Sequence, residues 1–209
     1  KTFTEFDILV NVPNKKRIKI KKIRIPLLGV HNVRNSVAAT AVAITIGISI
    51  SDIKRGLKNF KGVQRRFNKI FTHNNIDFYD DYAHHPTEIN SILNGVKNVY
   101  KKRKIISVFE PHRYSRILSL KKEFASSFVN SDLVLLCPLY AAGEKKNSAF
   151  KTVEFAKLIS KLSETQVILI KDFNEIEKYM KKNLISDEIV IGMGAGSISK
   201  HMRKLKNNL

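Results

Sequence analysis

The 209 residues hold one cysteine, no apolar run long enough to cross a bilayer, no internal repeat, no low-complexity linker, and less than half as many acidic as basic side chains. A lone Cys137 excludes an internal disulfide, and its place in Leu133-Val134-Leu135-Leu136-Cys137 reads as packing on a buried strand. The longest apolar stretch, residues 38–50, is interrupted by Thr40, Thr45, Gly47 and Ser49. It falls short of the roughly 20 residues a spanning helix needs, so no membrane insertion is expected. The first seven residues include Glu5 and Asp7 and no continuous apolar core, which excludes a secretory signal there and leaves the cytoplasm as the expected location. The shortage of acids, 18 against 38 basic residues for a net charge of +20, is the pattern of proteins that neutralise phosphates. Here the lysines are scattered through 15–22, 97–104, 145–146 and 178–182 instead of marking one helix face beside aromatic residues. No nucleic-acid partner is expected.

What is present is an ordered alternation. Residues 6–12, ending at Pro13-Asn14, and 18–25 read as two strands, with a shift of phase at Lys21-Lys22 that suggests a bulge. A helix over 32–46, with Val33, Val37, Ala38, Ala41 and Val42 at helical spacing, precedes a second helix capped by Ser51 or Asp52. Near Gln64 the character changes. Residues 67–72 and 76–80 flank Asn74-Asn75 as a hairpin, and 86–100 form a helix with Pro86 in its first turn and Ile89, Leu93 and Val96 inward. Short apolar runs at 105–109, 132–137, 166–170 and 188–191 then alternate with helices near 118–129, 152–162, 174–182 and 197–205. This predicts an α/β fold, a Rossmann-like, largely parallel sheet with flanking helices over 65–209, preceded by a separate unit over 1–64.

In such sheets ligands lie beyond the carboxyl ends of the strands, where this sequence places its unusual polar residues. Asp80-Asp81-Tyr82-Ala83-His84-His85 offers carboxylates, a phenol and two imidazoles, a set compatible with metal ligation, acid–base work or substrate recognition. Adjacent histidines on a loop diverge, so at most one is expected to face the site; the alternative is that neither does, one being solvated and the other capping the helix that starts at Pro86. His112, Arg113 and Arg116 follow the next strand and suit a carboxylate or phosphate, unless they are a solvated cluster in a lysine-rich chain. Tyr140 to Glu144 follow a third. After the last strand, Gly194-Ala195-Gly196-Ser197 resembles an anion-binding turn, but Ser199 stands where a third glycine would complete the dinucleotide pattern, and tight helix–strand packing explains the small residues equally well.

Five blocks in series carry a resemblance: residues 29–35 (Gly-Val-His-Asn-Val-Arg-Asn), 60–67 (Phe-Lys-Gly-Val-Gln-Arg-Arg-Phe), 80–89 (Asp-Asp-Tyr-Ala-His-His-Pro-Thr-Glu-Ile), 111–116 (Pro-His-Arg-Tyr-Ser-Arg) and 192–198 (Gly-Met-Gly-Ala-Gly-Ser-Ile). In order and spacing they resemble the Mur ligase family, and within it the alanine-adding ligases. The resemblance implies that residues 1–64 are the last part of the central ATPase domain and 65–209 the C-terminal domain. It implies ligation of L-alanine to the carboxylate of UDP-N-acetylmuramate through an acyl phosphate, with ATP and Mg2+. By it, His31, Asn32, Asn35, Arg66 and Asp81 would bind the nucleotide. Tyr82, His84, His112, Arg113 and Arg116 would bind alanine, with His84 and His112 as the catalytic candidates. The alternative is a non-catalytic relic of such a ligase that binds nucleotide or amino acid. No Gly-x-x-x-x-Gly-Lys-Ser/Thr loop is present, Gly143-Glu144-Lys145-Lys146 being the nearest phrase, and no metal ligands are assigned. The 209 residues alone are therefore expected not to turn over. Glu110, Ile117 and Lys146-Asn147 depart from the family pattern, which has Gln, Thr and Pro-Ile there.

Overall fold

The computed structural model describes residues 3–11, 17–27, 29–60 and 62–209, and divides into two compact units, Lys1–Val63 and Gln64–Leu209. In the first unit β1 (Thr4–Val10) pairs antiparallel with β2 (Ile18–Ile25). Phe6 faces Ile23 and Ile8 faces Ile20, so Asp7 stands opposite both Lys21 and Lys22. This is the bulge expected from the phase shift; Lys22 takes a positive φ of 55° and its amide donates to the Asp7 carboxylate at 2.9 Å. The expected turn at Pro13-Asn14 lies outside the described residues. Ile8, Ile20 and Ile23 form a small core with Phe6, Val10, Ile44 and Leu57 around it.

Helix α1 (Val30–Thr45) has the expected apolar spacing but buries another face. Val37, Ala38, Ala41 and Val42 are exposed, whereas Ser36 and Thr40 are buried. Those hydroxyls donate to the carbonyls of Asn32 and Ser36 one turn back, at 2.8 and 2.7 Å, so the polar face loses no hydrogen bond on burial. Helix α2 (Ile50–Asn59) starts earlier than expected, because Ser49 rather than Ser51 or Asp52 accepts from the Asp52 amide, at 3.2 Å.

The second unit is the doubly covered sheet. Its strands are β3 (Asn68–His73), β4 (Ile76–Asp81), β5 (Lys104–Phe109), β6 (Leu133–Leu136), β7 (Gln166–Leu169) and β8 (Glu188–Met193), in the order β3-β4-β8-β5-β6-β7. Only β3 runs antiparallel, joined to β4 through Asn74 and Asn75, both at positive φ as a two-residue hairpin turn requires. Helices α3 (Pro86–Val99), α4 (Tyr114–Ser119), α5 (Lys121–Ala125) and α6 (Thr152–Ser163) pack on one face. Helices α7 (Phe173–Asn183) and α8 (Ile198–Asn208) cover the other. Residues 118–129 are not one helix: the backbone breaks at Leu120, while Ile117, Phe124 and Phe128 stay buried on the same core. The chain winds outward from β4 to β7, returns through α7, and inserts β8 between β4 and β5. That reversal brings the carboxyl ends of β4, β8 and β5 side by side, with β6 next to them.

Candidate active site

At the end of β4 both carboxylates point into the protein. Asp81 is 1% exposed, and its oxygens accept from the amides of Phe67 and Ala83, each at 2.7 Å. Burial raises its pKa to about 6, against the pull of those two amides and of Arg66. Each oxygen keeps a lone pair, but the geometry makes Asp81 first an organiser of the backbone that carries Arg66 and Tyr82. Asp80 is fully buried; Oδ2 accepts from Ser199 at 2.5 Å and from Arg203 at 3.1 Å, while Oδ1 has no hydrogen bond and lies 4.0 Å from the Arg65 Nε. Arg65 donates to the Gly194 carbonyl at 2.5 Å and lies over the Tyr82 ring, 4.6 Å from its centroid.

The two adjacent histidines separate as their loop position demands. His85 is the N-cap of α3, its Nδ1 accepting from Thr87 at 3.4 Å, ahead of Pro86 in the first turn. His84 turns to the site, its ring 4.9 Å from Tyr82 and 5.9 Å from His112. His112 in turn stacks on Tyr140 at 5.5 Å, and a short parallel bridge between 112 and 140 ties the β5 and β6 ends together. Burial pushes the His112 pKa down, and Arg116, His84 and Arg113 add to the effect. Thus Tyr82, His84, His112 and Arg116 meet. Arg113 is the N-cap of α4 at a φ of 69°, exposed, with its amide bonded to the Tyr140 carbonyl at 2.9 Å, and Arg116, in the first turn of the same helix, bonds His112.

The glycine turn after β8 is filled by the protein itself. The buried Glu110 accepts from the Ser197 hydroxyl at 2.7 Å and from the Ile198 amide at 3.2 Å, so a carboxylate already sits at the α8 N-terminus. A Cβ on Gly196 would lie 2.5 Å from Glu110 Oε2 and 2.5 Å from Tyr140 Cγ. Close packing, rather than room for a bound anion, explains the small residues of 194–197. Glu144 accepts from the Ser115 hydroxyl and amide at 2.5 and 3.1 Å, which holds the 140–144 loop against the start of α4 and keeps the Glu144 carboxyl below its ordinary range.

His31, Asn32 and Asn35 lie in the first two turns of α1 in the other unit, where the cap is Gly29 and not one of them. Arg66 is exposed, 3.6 Å from Glu88. Sequence reasoning assigned no role to Glu88, and it singled out Glu110 and Tyr140 without their partners, the α8 N-terminus and the His112 ring. Glu88 carried a local signal, its place three residues after the N-cap, where a carboxylate reaches back to free amides. Among the described residues no group of three or more His, Cys, Asp or Glu could hold a metal ion, and no helix is long and apolar enough to cross a membrane.

Comparison with known proteins supplies the context. A family model described as Mur ligase, glutamate ligase domain, matches residues 65–196. The chain is 55% identical over 205 residues to the UDP-N-acetylmuramate--L-alanine ligase of Pelagibacter ubique, covering 98% of this chain and 44% of the relative. It is 41% identical over 187 residues to the ligase of the same name in Brachyspira hyodysenteriae, covering 88% of this chain and 40% of that one. The crystal structure of UDP-N-acetylmuramate-alanine ligase MurC from Thermotoga maritima matches with a TM-score of 0.75 at 26% identity, over 97% of this chain and 42% of its own. The chain thus spans less than half the length of these relatives. The family match runs from Arg65 to Gly196 and takes in every strand of the sheet and every polar loop at its crest. This chain belongs to the Mur ligase family, whose glutamate ligase domain it carries.

Proposed function

We propose that this chain supplies the amino-acid-receiving part of an ATP-dependent ligase that joins L-alanine to the carboxylate of UDP-N-acetylmuramate, a step of peptidoglycan precursor synthesis. One observation carries the reading: two imidazoles 5.9 Å apart, one beside the Tyr82 ring and the other bonded to Arg116, stand together at the sheet's crest in a Mur ligase. The names of its relatives support the choice of alanine.

The groups suit a zwitterion. Arginine donates in a plane to a carboxylate, which favours Arg113 and Arg116 as the carboxylate partners. The depressed His112 pKa keeps that ring neutral near pH 7, so it does not repel an ammonium group. In the proposed reaction the muramoyl carboxylate attacks the γ-phosphate of ATP, and the alanine amine attacks the resulting acyl phosphate through a tetrahedral intermediate. ADP and phosphate leave. The contribution of residues 65–209 is orientation of the second substrate, an effect of proximity. Residues 1–64 would be the end of the central ATPase domain, with Asn32 and Asn35 as adenine contacts and His31 supporting the same nucleotide segment. Arg66 would meet phosphates, and Asp81 would meet the ribose through the lone pairs its backbone partners leave. Among the described residues no group of three or more His, Cys, Asp or Glu could hold Mg2+.

The complete gene product should release phosphate only when ATP, UDP-N-acetylmuramate and L-alanine are all present. Binding of alanine without turnover would favour the non-catalytic relic instead. Arg113→Ala should raise the KM for alanine at least about tenfold and leave that for ATP within about twofold. Equal effects on both would remove Arg113 from the pocket.

A further inference from the structure

The two imidazoles at the crest are held in opposite tautomers. His84 Nδ1 lies 2.8 Å from the Tyr82 carbonyl oxygen and 3.3 Å from Glu88 Oε2. Both partners only accept, so Nδ1 must carry the proton and the neutral ring has its lone pair on Nε2. His112 Nδ1 lies 3.1 Å from the Arg116 Nη1, which only donates, so Nδ1 there is the acceptor and the proton sits on Nε2. No hydrogen bond among the described residues reaches either Nε2.

Glu88, at the third position of α3, holds the first arrangement together. Its Oε2 accepts from the His84 amide at 3.0 Å and sits beside His84 Nδ1, while its Oε1 is 3.6 Å from Arg66 Nη1. One carboxylate thus touches both a histidine of the proposed alanine pocket and the arginine proposed to meet phosphates.

We propose that Glu88 is a positioning residue that, with the Tyr82 carbonyl, keeps His84 in the Nδ1–H form and so makes His84 Nε2 the base for the incoming amine, leaving His112 to act as a donor. This rests on the alanine-pocket reading above. In the step, an N–H bond of the alanine ammonium breaks, its electron pair stays on nitrogen as the nucleophile, and the proton bonds to His84 Nε2. The resulting imidazolium is stabilised by the Glu88 charge, as a carboxylate steadies the histidine of other acid–base pairs. The proton passes to water once the amine has attacked. His112 cannot take this part while Arg116 holds its Nδ1, because its Nε2 already carries hydrogen; it is placed instead to donate to a carboxylate oxygen.

Glu88 could serve only as a helix cap, since a carboxylate at this position commonly satisfies amides before the first turn. Glu88→Gln separates the roles, because its amide oxygen still caps while the charge is gone. Long-range 1H–15N spectra of the 209-residue chain, above the imidazole titrations, should show a pyridine-like Nε2 on His84 and a pyridine-like Nδ1 on His112. In the complete gene product Glu88→Gln should lower kcat about tenfold or more with an unchanged melting temperature and little change in the KM for alanine. Wild-type kcat in that variant, or an Nε2–H tautomer on His84, overturns the proposal while leaving the ligase reading intact. A complete gene product that ligates nothing would overturn that reading, and the catalytic part assigned to His84 with it; the tautomers would still be decided by the spectra.

Discussion

Asp81 carries a stability signature opposite in sign to that of most carboxylates. Its pKa is raised from the ordinary 3.8 to about 6 because burial penalises the charged form more than the Phe67 and Ala83 amides favour it. A rise of that size corresponds to about 3 kcal/mol of preference for the protonated carboxyl in the folded state. As pH falls the folded chain therefore binds this proton before the unfolded chain does. The Asp81 contribution to stability grows from about pH 7 downward and levels off near the unfolded value of about 4. Between pH 7.5 and pH 5.0 the gain is about 1.4 kcal/mol. Other groups act the other way: Asp77 and Glu144 have lowered pKa values, so what they contribute is lost as pH falls. The assay is thus a difference, urea unfolding of the wild-type chain and of Asp81→Asn at several pH values. The substituted carboxamide keeps one acceptor but turns an NH2 toward the second backbone amide, which adds a nearly pH-independent cost of about 1–3 kcal/mol. The advantage of wild type over the variant should widen by about 1.4 kcal/mol from pH 7.5 to 5.0. A constant advantage, or one that narrows as the pH drops, refutes the assignment of a buried, reluctantly ionised Asp81.

Two further substitutions probe the crest. Gly196→Ala should cost about 1–3 kcal/mol in urea unfolding, because the new methyl meets Glu110 and Tyr140; Gly95→Ala, in open space on α3, should instead stabilise by up to about 1 kcal/mol, and similar effects at both sites would contradict the packing described. Ser115→Ala removes the largest cause of the lowered Glu144 carboxyl, whose titration followed by carbon NMR should move up toward its ordinary 4.5; an unmoved titration would mean that the 140–144 loop is held some other way.

The α/β alternation was legible because strand and helix periods differ and because Asn74-Asn75 can take the positive φ that a two-residue hairpin needs. The bulge was legible too, since a change of phase in alternating Ile and Lys has no other regular explanation. Where the reading failed, periodicity reported which side is apolar and not what the backbone does. Ile117, Phe124 and Phe128 keep a helix-like spacing across the break at Leu120, so the sequence looks continuous where the chain is not. In α1 the stripe of valines and alanines is real, but Ser36 and Thr40 satisfy themselves on their own helix and can be the buried side.

The crest shows a sharper limit, because there the deciding partners are far apart in sequence. Gly194-Ala195-Gly196-Ser197 has the small residues and the following helix of an anion site, and local inspection could not reveal that the carboxyl group of Glu110, just beyond the end of β5, already occupies it. The departure from the family's Gln at that position was visible; its consequence was not, since it depends on β5 and β8 being neighbours. The same holds for the histidines. Sequence offers two imidazoles with equal claims, and nothing in their spacing ranks them. The fold gives one two acceptors, the other a guanidinium, and the proposed division into a base and a donor rests on this difference in partners between residues that composition alone makes equivalent.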